Sequence, residues 1–128
     1  MEQPTTTLNR MPEWKFYNGI EYLEMIITGF KTPEEMLQYY AEGCRMILER
    51  PDKSVNVFTD TRGIKISTRT MRKAQEIGKT AQRAIKKSAM IGAPGITVVM
   101  LKLYINFTRS PVKFFTNPNI ALEYLTKD

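Results

Sequence analysis

Histidine is absent from all 128 residues. That absence removes the commonest general base, the usual zinc ligand and every nucleophile that depends on an imidazole. The single cysteine, Cys44, leaves no partner for an internal disulfide and fits a reducing compartment. Long apolar runs are missing too. The longest, from Ile96 to Phe107, falls short of the ~20 residues a spanning helix needs, and Lys102 interrupts it. The opening M-E-Q-P-T-T-T-L-N-R has no basic start followed by an apolar segment, so no signal peptide is expected. Phosphate-binding glycine loops, metal-ligand clusters and nucleophile motifs are lacking. Gly92-Ala93-Pro94-Gly95 precedes a helix start, but two glycines around a proline are a weak anion signal. These absences predict a cytoplasmic protein that binds rather than catalyses, with no cofactor and no metal.

What remains is ordinary globular material, 42% hydrophobic and 25% charged, enough for one domain with a real core. Residues 1–12 are polar, with two prolines and a threonine run, and read as a flexible N-terminal arm. Residues 13–128 read as the folded domain. Trp14 and Phe16 precede Asn18-Gly19, and Ile20 and Tyr22 follow it, which predicts a hairpin. Thr32, Pro33 and Glu35 form a capping box that opens a helix over 33–49 with Met36, Leu37, Tyr40, Cys44, Ile47 and Leu48 inward. Pro51 stops it. A strand follows over 54–59, then a helix over 68–86 capped by Ser67 or Thr68. Further expected elements are a short strand over 88–92, an apolar helix over 96–107 and a strand over 111–115. The last is a helix from Pro118, capped by Asn117, with Ile120, Ala121, Tyr124 and Leu125 inward. Strands alternating with helices predict an α/β domain: a mostly parallel sheet of four to five strands, an N-terminal hairpin and four helices.

Three segments carry a resemblance to the STAS family, the SpoIIAA-like domains first known from bacterial anti-sigma factor antagonists. Asp60-Thr61-Arg62-Gly63 stands where that family has Asp-Ser-Ser-Gly before a helix. K87-S-A-M-I-G-A-P-G95 resembles its third strand entering the next helix, and K113-F-F-T-N-P-N-I-A-L-E-Y-L125 its closing segment. The likeness covers roughly residues 14–126. It implies a bacterial, cytoplasmic, non-enzymatic domain whose strand end and following helix meet a protein partner, in a regulatory role. The family's phosphorylated serine is replaced by Arg62, a permanent cation of the opposite sign, and only Thr61 beside it bears a hydroxyl. The phospho-switch is therefore not expected. Some related small bacterial proteins share a CRAL-TRIO-like shape, which implies the alternative of a carrier or sensor of a lipid or small apolar ligand.

Two roles are open to Asp60 and Arg62. At the carboxyl end of a parallel strand they could hold an anionic ligand, with Gly63 permitting the tight turn. In the plainer role, Asp60 accepts hydrogen bonds within its own turn and Arg62 is solvated or pairs with it. The sharper signal is the segment from Arg62 to Lys87, with nine Lys or Arg and one acid, Glu76, in a chain of net charge +6. Arg69, Arg72, Lys73, Lys79, Arg83, Lys86 and Lys87 recur at helical spacing. They read as a solvated face or as a docking surface for an acidic partner protein. Nucleic acid fits poorly, because no aromatic residue interleaves the charges. A membrane fits poorly, because the opposite face is rich in Ala and Gly and turned into the domain.

Helix 96–107 is apolar nearly all round, through Val99, Met100, Leu103, Tyr104 and Phe107 among others. Such a helix needs cover on every side, which predicts a homodimer seam or the wall of an apolar ligand pocket. Met25, Met36, Met46, Met90 and Met100 could line such a pocket or simply be core.

Overall fold

The structure is a computed structural model that describes residues 10–64, 66–92 and 111–127. Strands β1 (Glu13–Tyr17) and β2 (Ile20–Ile26) form the expected hairpin. Asn18 and Gly19 turn it with φ of 52° and 78°, the left-handed pair that a two-residue hairpin of this twist demands. The register runs from Tyr17 opposite Ile20 to Glu13 opposite Glu24.

Helix α1 (Pro33–Leu48) starts at the capping box: the Thr32 hydroxyl accepts from the Glu35 N–H at 3.1 Å. The Glu35 carboxylate reaches back to the Lys31 N–H at 3.1 Å. Strand β3 (Val55–Asp60) follows, then α2 (Thr68–Lys79), a 3-10 turn (Thr80–Ala84), β4 (Ile85–Ile91), β5 (Val112–Phe115) and α3 (Pro118–Thr126). The sheet order is β1-β2-β3-β4-β5. Strands β2 to β5 are parallel and β1 is antiparallel, so the five-stranded sheet is mixed. The described residues hold three α-helices; the expected helix 96–107, with Val99, Met100, Leu103, Tyr104 and Phe107, lies outside them.

Both crossover units, through α1 and α2, step across the sheet in one direction. Right-handed crossovers then put both helices on one face. That face holds the larger core, with Leu23, Met25, Val55, Val57 and Ile85 from strands and Met36, Tyr39, Cys44 and Ile47 from α1. Leu23 and Ile47 are essentially sealed from solvent, each contributing about 1.5–3 kcal/mol. The opposite face is covered by α3, which lays Ala121 and Leu125 on Tyr22, Phe58, Ala89 and Ile91.

Three expectations change here. Helix 68–86 ends at Lys79, and residues from Ile85 onward are strand, because β3 needs a partner along its length. A register shift at the Val55–Asn56 step disturbs the two-residue alternation that would have marked this strand. Lys86 and Lys87 therefore leave the helical stripe; the Lys87 ammonium instead donates to the Tyr124 carbonyl at 3.2 Å and to that of Lys127. Ile120, expected inward, is 56% exposed. The segment expected to be loose up to Pro12 is anchored at its end. Arg10 donates to the Thr28 carbonyl and lies 4.2 Å over the Phe30 ring, and Pro12 is buried.

Candidate functional site

Strand β3 delivers Asp60 to the carboxyl edge of the sheet, and the chain turns there. Asp60 Oδ1 accepts from the Arg62 N–H at 3.0 Å and from its Nε at 3.1 Å, while Oδ2 receives Nη2 at 2.9 Å. Burial alone would push this carboxyl up. The hydrogen bonds and charge of Arg62 outweigh it and hold Asp60 below the ordinary carboxylate range. These are the bonds of the plainer role: the acid organises its own turn and pairs with the arginine, whose side chain stays largely exposed.

Thr61 adds no surface. It is 1% exposed, its N–H donates to the Ile91 carbonyl at 2.9 Å, and its hydroxyl donates to the same oxygen at 2.8 Å. A phosphoryl group has no room there. Gly63, at φ 77°, completes the turn, and Gly92 at the end of β4 lies directly against Arg62. The corner is thus a rigid junction of β3 and β4.

Helix α2 starts next to this corner, capped by the Ser67 hydroxyl accepting from the Thr70 N–H at 3.1 Å. Thr70, Met71, Ala74 and Gly78 face inward. Arg69, Arg72, Lys73 and Lys79 face solvent, along ~15 Å of helix at ~1.5 Å per residue. Arg69, Arg72 and Lys73 form no ion pair or hydrogen bond among the described residues, and Glu76 does not neutralise them. Arg83, on the 3-10 turn, is bound to Asp52. The stripe read from the sequence therefore divides. Three cations stay open on the helix next to the corner, and Arg83 is engaged at the far end.

A second feature lies beneath α2. Between the sheet, α1 and α2 is a cavity of about 70 Å³. Its walls include Met25, Met36, Met71, Met90 and Cys44 beside branched aliphatics such as Ile27, Ile47, Val57 and Ile85. Thr59 and Ser88, both buried, add hydroxyls from β3 and β4. Gln82, from the 3-10 turn, also borders the cavity. Its Nε2 donates to the Gly78 carbonyl at 2.8 Å, while its Oε1 is buried without a hydrogen-bond partner. Because a carbonyl can only accept, the amide orientation is fixed. Of the methionines read as pocket candidates, Met25, Met36 and Met90 line this cavity, and Met46 packs against the core elsewhere. Met100 lies outside the described residues.

The sequence did not single out Met71 or Gln82. Gln82 does stand as the polar residue in Ala81-Gln82-Arg83-Ala84, but its place beside the cavity depends on the helix ending where it does. Among the described residues no cluster of acids or Cys can hold a metal ion, and no helix is long and apolar enough to cross a membrane.

The layout of helices on a mixed sheet, with a tight corner after its central strand, defines a SpoIIAA-like α/β domain. A crystal structure of an uncharacterised protein of the DUF3478 family from Shewanella loihica PV-4, described as SpoIIAA-like in fold, is similar to it. The TM-score is 0.64 at 16% sequence identity, over 89% of this chain and 91% of that one. The likeness is one of fold. Residues 44–127 match a family described as a domain of unknown function, DUF7793, and the chain belongs to that family. Curated proteins give no match.

Proposed function

We propose that the chain is a non-catalytic, cytoplasmic binding module that docks an acidic protein partner on the outer face of α2 and the adjoining corner at Asp60–Gly63. The role is regulatory, and it works without a phosphoserine switch. One contrast carries this reading. Lys15, Arg45, Arg50, Arg62 and Arg83 each hold an acid, whereas Arg69, Arg72 and Lys73 stand together, exposed, with no ion pair among the described residues. Neighbouring like charges on a helix cost it a few tenths of a kcal/mol per pair. An acidic partner converts that cost into attraction and faster encounter.

The test is fluorescence anisotropy with a labelled oligoglutamate peptide, run beside phosphatidylglycerol vesicles and single-stranded DNA. Peptide binding should weaken steeply with salt. Reversing Arg69, Arg72 and Lys73 to Glu should lower the affinity roughly tenfold or more, at ~0.5–1 kcal/mol per exposed contact. The melting temperature should barely move. Preference for vesicles or DNA, or indifference to the reversal, overturns the reading.

A second reading, carriage or sensing of a small apolar ligand, is favoured by the mostly apolar cavity beneath α2, with four methionines in its walls. Methionine side chains rearrange readily, so such a wall adapts to its occupant.

A further inference from the structure

We propose that the acidic partner carries an apolar anchor residue close to its acids, and that the anchor enters a cleft at the carboxyl edge of the sheet, beside the start of α2. The inference rests on the docking reading above and adds a second contact to it. The cleft lies between the segment after β2 and the segment after β3. It holds about 660 Å³, several times the ~150 Å³ that takes up a benzene ring. Ile27, Phe30, Met36, Ile64 and Ile66 give it apolar walls. Ile27 and Met36 are buried, while Phe30, Ile64 and Ile66 are half-buried. The Phe30 ring is braced by the Tyr39 ring, 5.2 Å away, and by the Arg10 guanidinium, so this wall stands ready before anything binds. Lys31, Gly63 and Ser67 at the mouth are exposed, which leaves the cleft open to solvent.

Charge decides the occupant. No carboxylate lines the cleft among the described residues. Gly63 joins it to the corner at Asp60–Gly63, and Ser67 and Thr70 join it to α2. Arg69, Arg72 and Lys73 follow within ~9 Å of helix axis from Ser67, at ~1.5 Å per residue. About three residues of extended partner chain cover that distance. On the other side Glu34 and Glu35 open α1 and repel acids. The partner's acids are therefore drawn to the α2 side, and an apolar neighbour is left over the cleft. Exposed ion pairs contribute little each and are screened by salt, whereas burial of an apolar anchor is not screened.

The experiment uses the full chain and two labelled peptides of equal charge, hexaglutamate with tryptophan at both ends and hexaglutamate with alanine at both ends, read by fluorescence anisotropy. The tryptophan peptide should bind about fivefold to tenfold more tightly. Ile66→Asn and Phe30→Ala should each erase this advantage and keep the affinity for the alanine peptide, which reports an intact docking face. In the wild type, the amide resonances of Phe30 and Ile64 should shift with the tryptophan peptide and not with the alanine one, a readout that stands even where a variant fails to fold. Equal affinity of the two peptides for the wild type overturns the anchor and leaves the docking reading standing. Binding of neither overturns both. An advantage that survives in both variants, or leaves those resonances unmoved, places the ring elsewhere and overturns the assignment. N-acetyltryptophanamide binding as tightly as the tryptophan peptide would make the cleft a small-molecule site and overturn it too.

Discussion

A methyl group added at Gly92 would have its carbon 1.9 Å from Arg62 Cγ and 2.7 Å from Arg62 Cα, and the backbone there has φ 98°. At Gly63 the backbone has φ 77°, but an added Cβ meets nothing within 4 Å. The two glycines of one corner thus differ in kind. Gly63→Ala should cost only the left-handed backbone penalty, about 1–2 kcal/mol. Gly92→Ala adds a clash with main chain and should cost ~3 kcal/mol or more. Urea unfolding of the two variants checks this, and equal losses would mean that the β3–β4 junction yields. The sequence placed a turn at Asp60–Gly63 because its signals are neighbours in the chain. It could not assign Gly92, whose steric neighbour lies thirty positions away, and read it as part of a weak anion loop. The pairing of Asp60 with Arg62 was legible as one of two roles, and the hydrogen bonds between them are those of the plainer one.

Elements show the same division between local and distant causes. Helix α1 was read to within a residue, because Thr32, Pro33 and Glu35 start it and Pro51 stops it, all within a few positions. Helix α2 was overrun, because its end is set by the demand of β3 for a partner rather than by a local stop. That overrun also put Lys86 and Lys87 on the wrong surface and hid Gln82. Tyr39 is a further case. It sits outside the stripe expected for α1, yet is 2% exposed, and its hydroxyl accepts from the Ile26 N–H at 2.7 Å. Strand β1 ends its pairing at Glu13 opposite Glu24, so this N–H lies beyond the reach of the hairpin ladder. Tyr39→Phe should leave the half-buried N–H unpaired, with a loss of about 1 kcal/mol and faster amide exchange at Ile26. Unchanged exchange would mean that another acceptor takes over.

At the scale of the whole molecule, the described residues form a sheet with a larger core under α1 and α2 and a smaller one under α3. Cys44 lies in the larger core at 4% exposure, lining the cavity. Burial raises its thiol from the ordinary value of 9.0 to about 12. The stabilisation is complete below the unfolded value and fades as pH rises from there through the folded one, because the opened chain ionises first. Iodoacetamide at pH 8 should therefore modify the native protein only as fast as it opens. Added urea should speed the reaction in step with the loss of stability. Rapid labelling of the native protein would show that α1 lifts from the sheet on its own.

Among the described residues, strand order across the sheet follows strand order along the chain. In a polypeptide leaving the ribosome, each of these strands after the first therefore finds a neighbour already made. The outer edge of β1 is fixed from the start, and the sheet can widen in one direction only, a strand at a time. Synthesis and assembly can run in the same order.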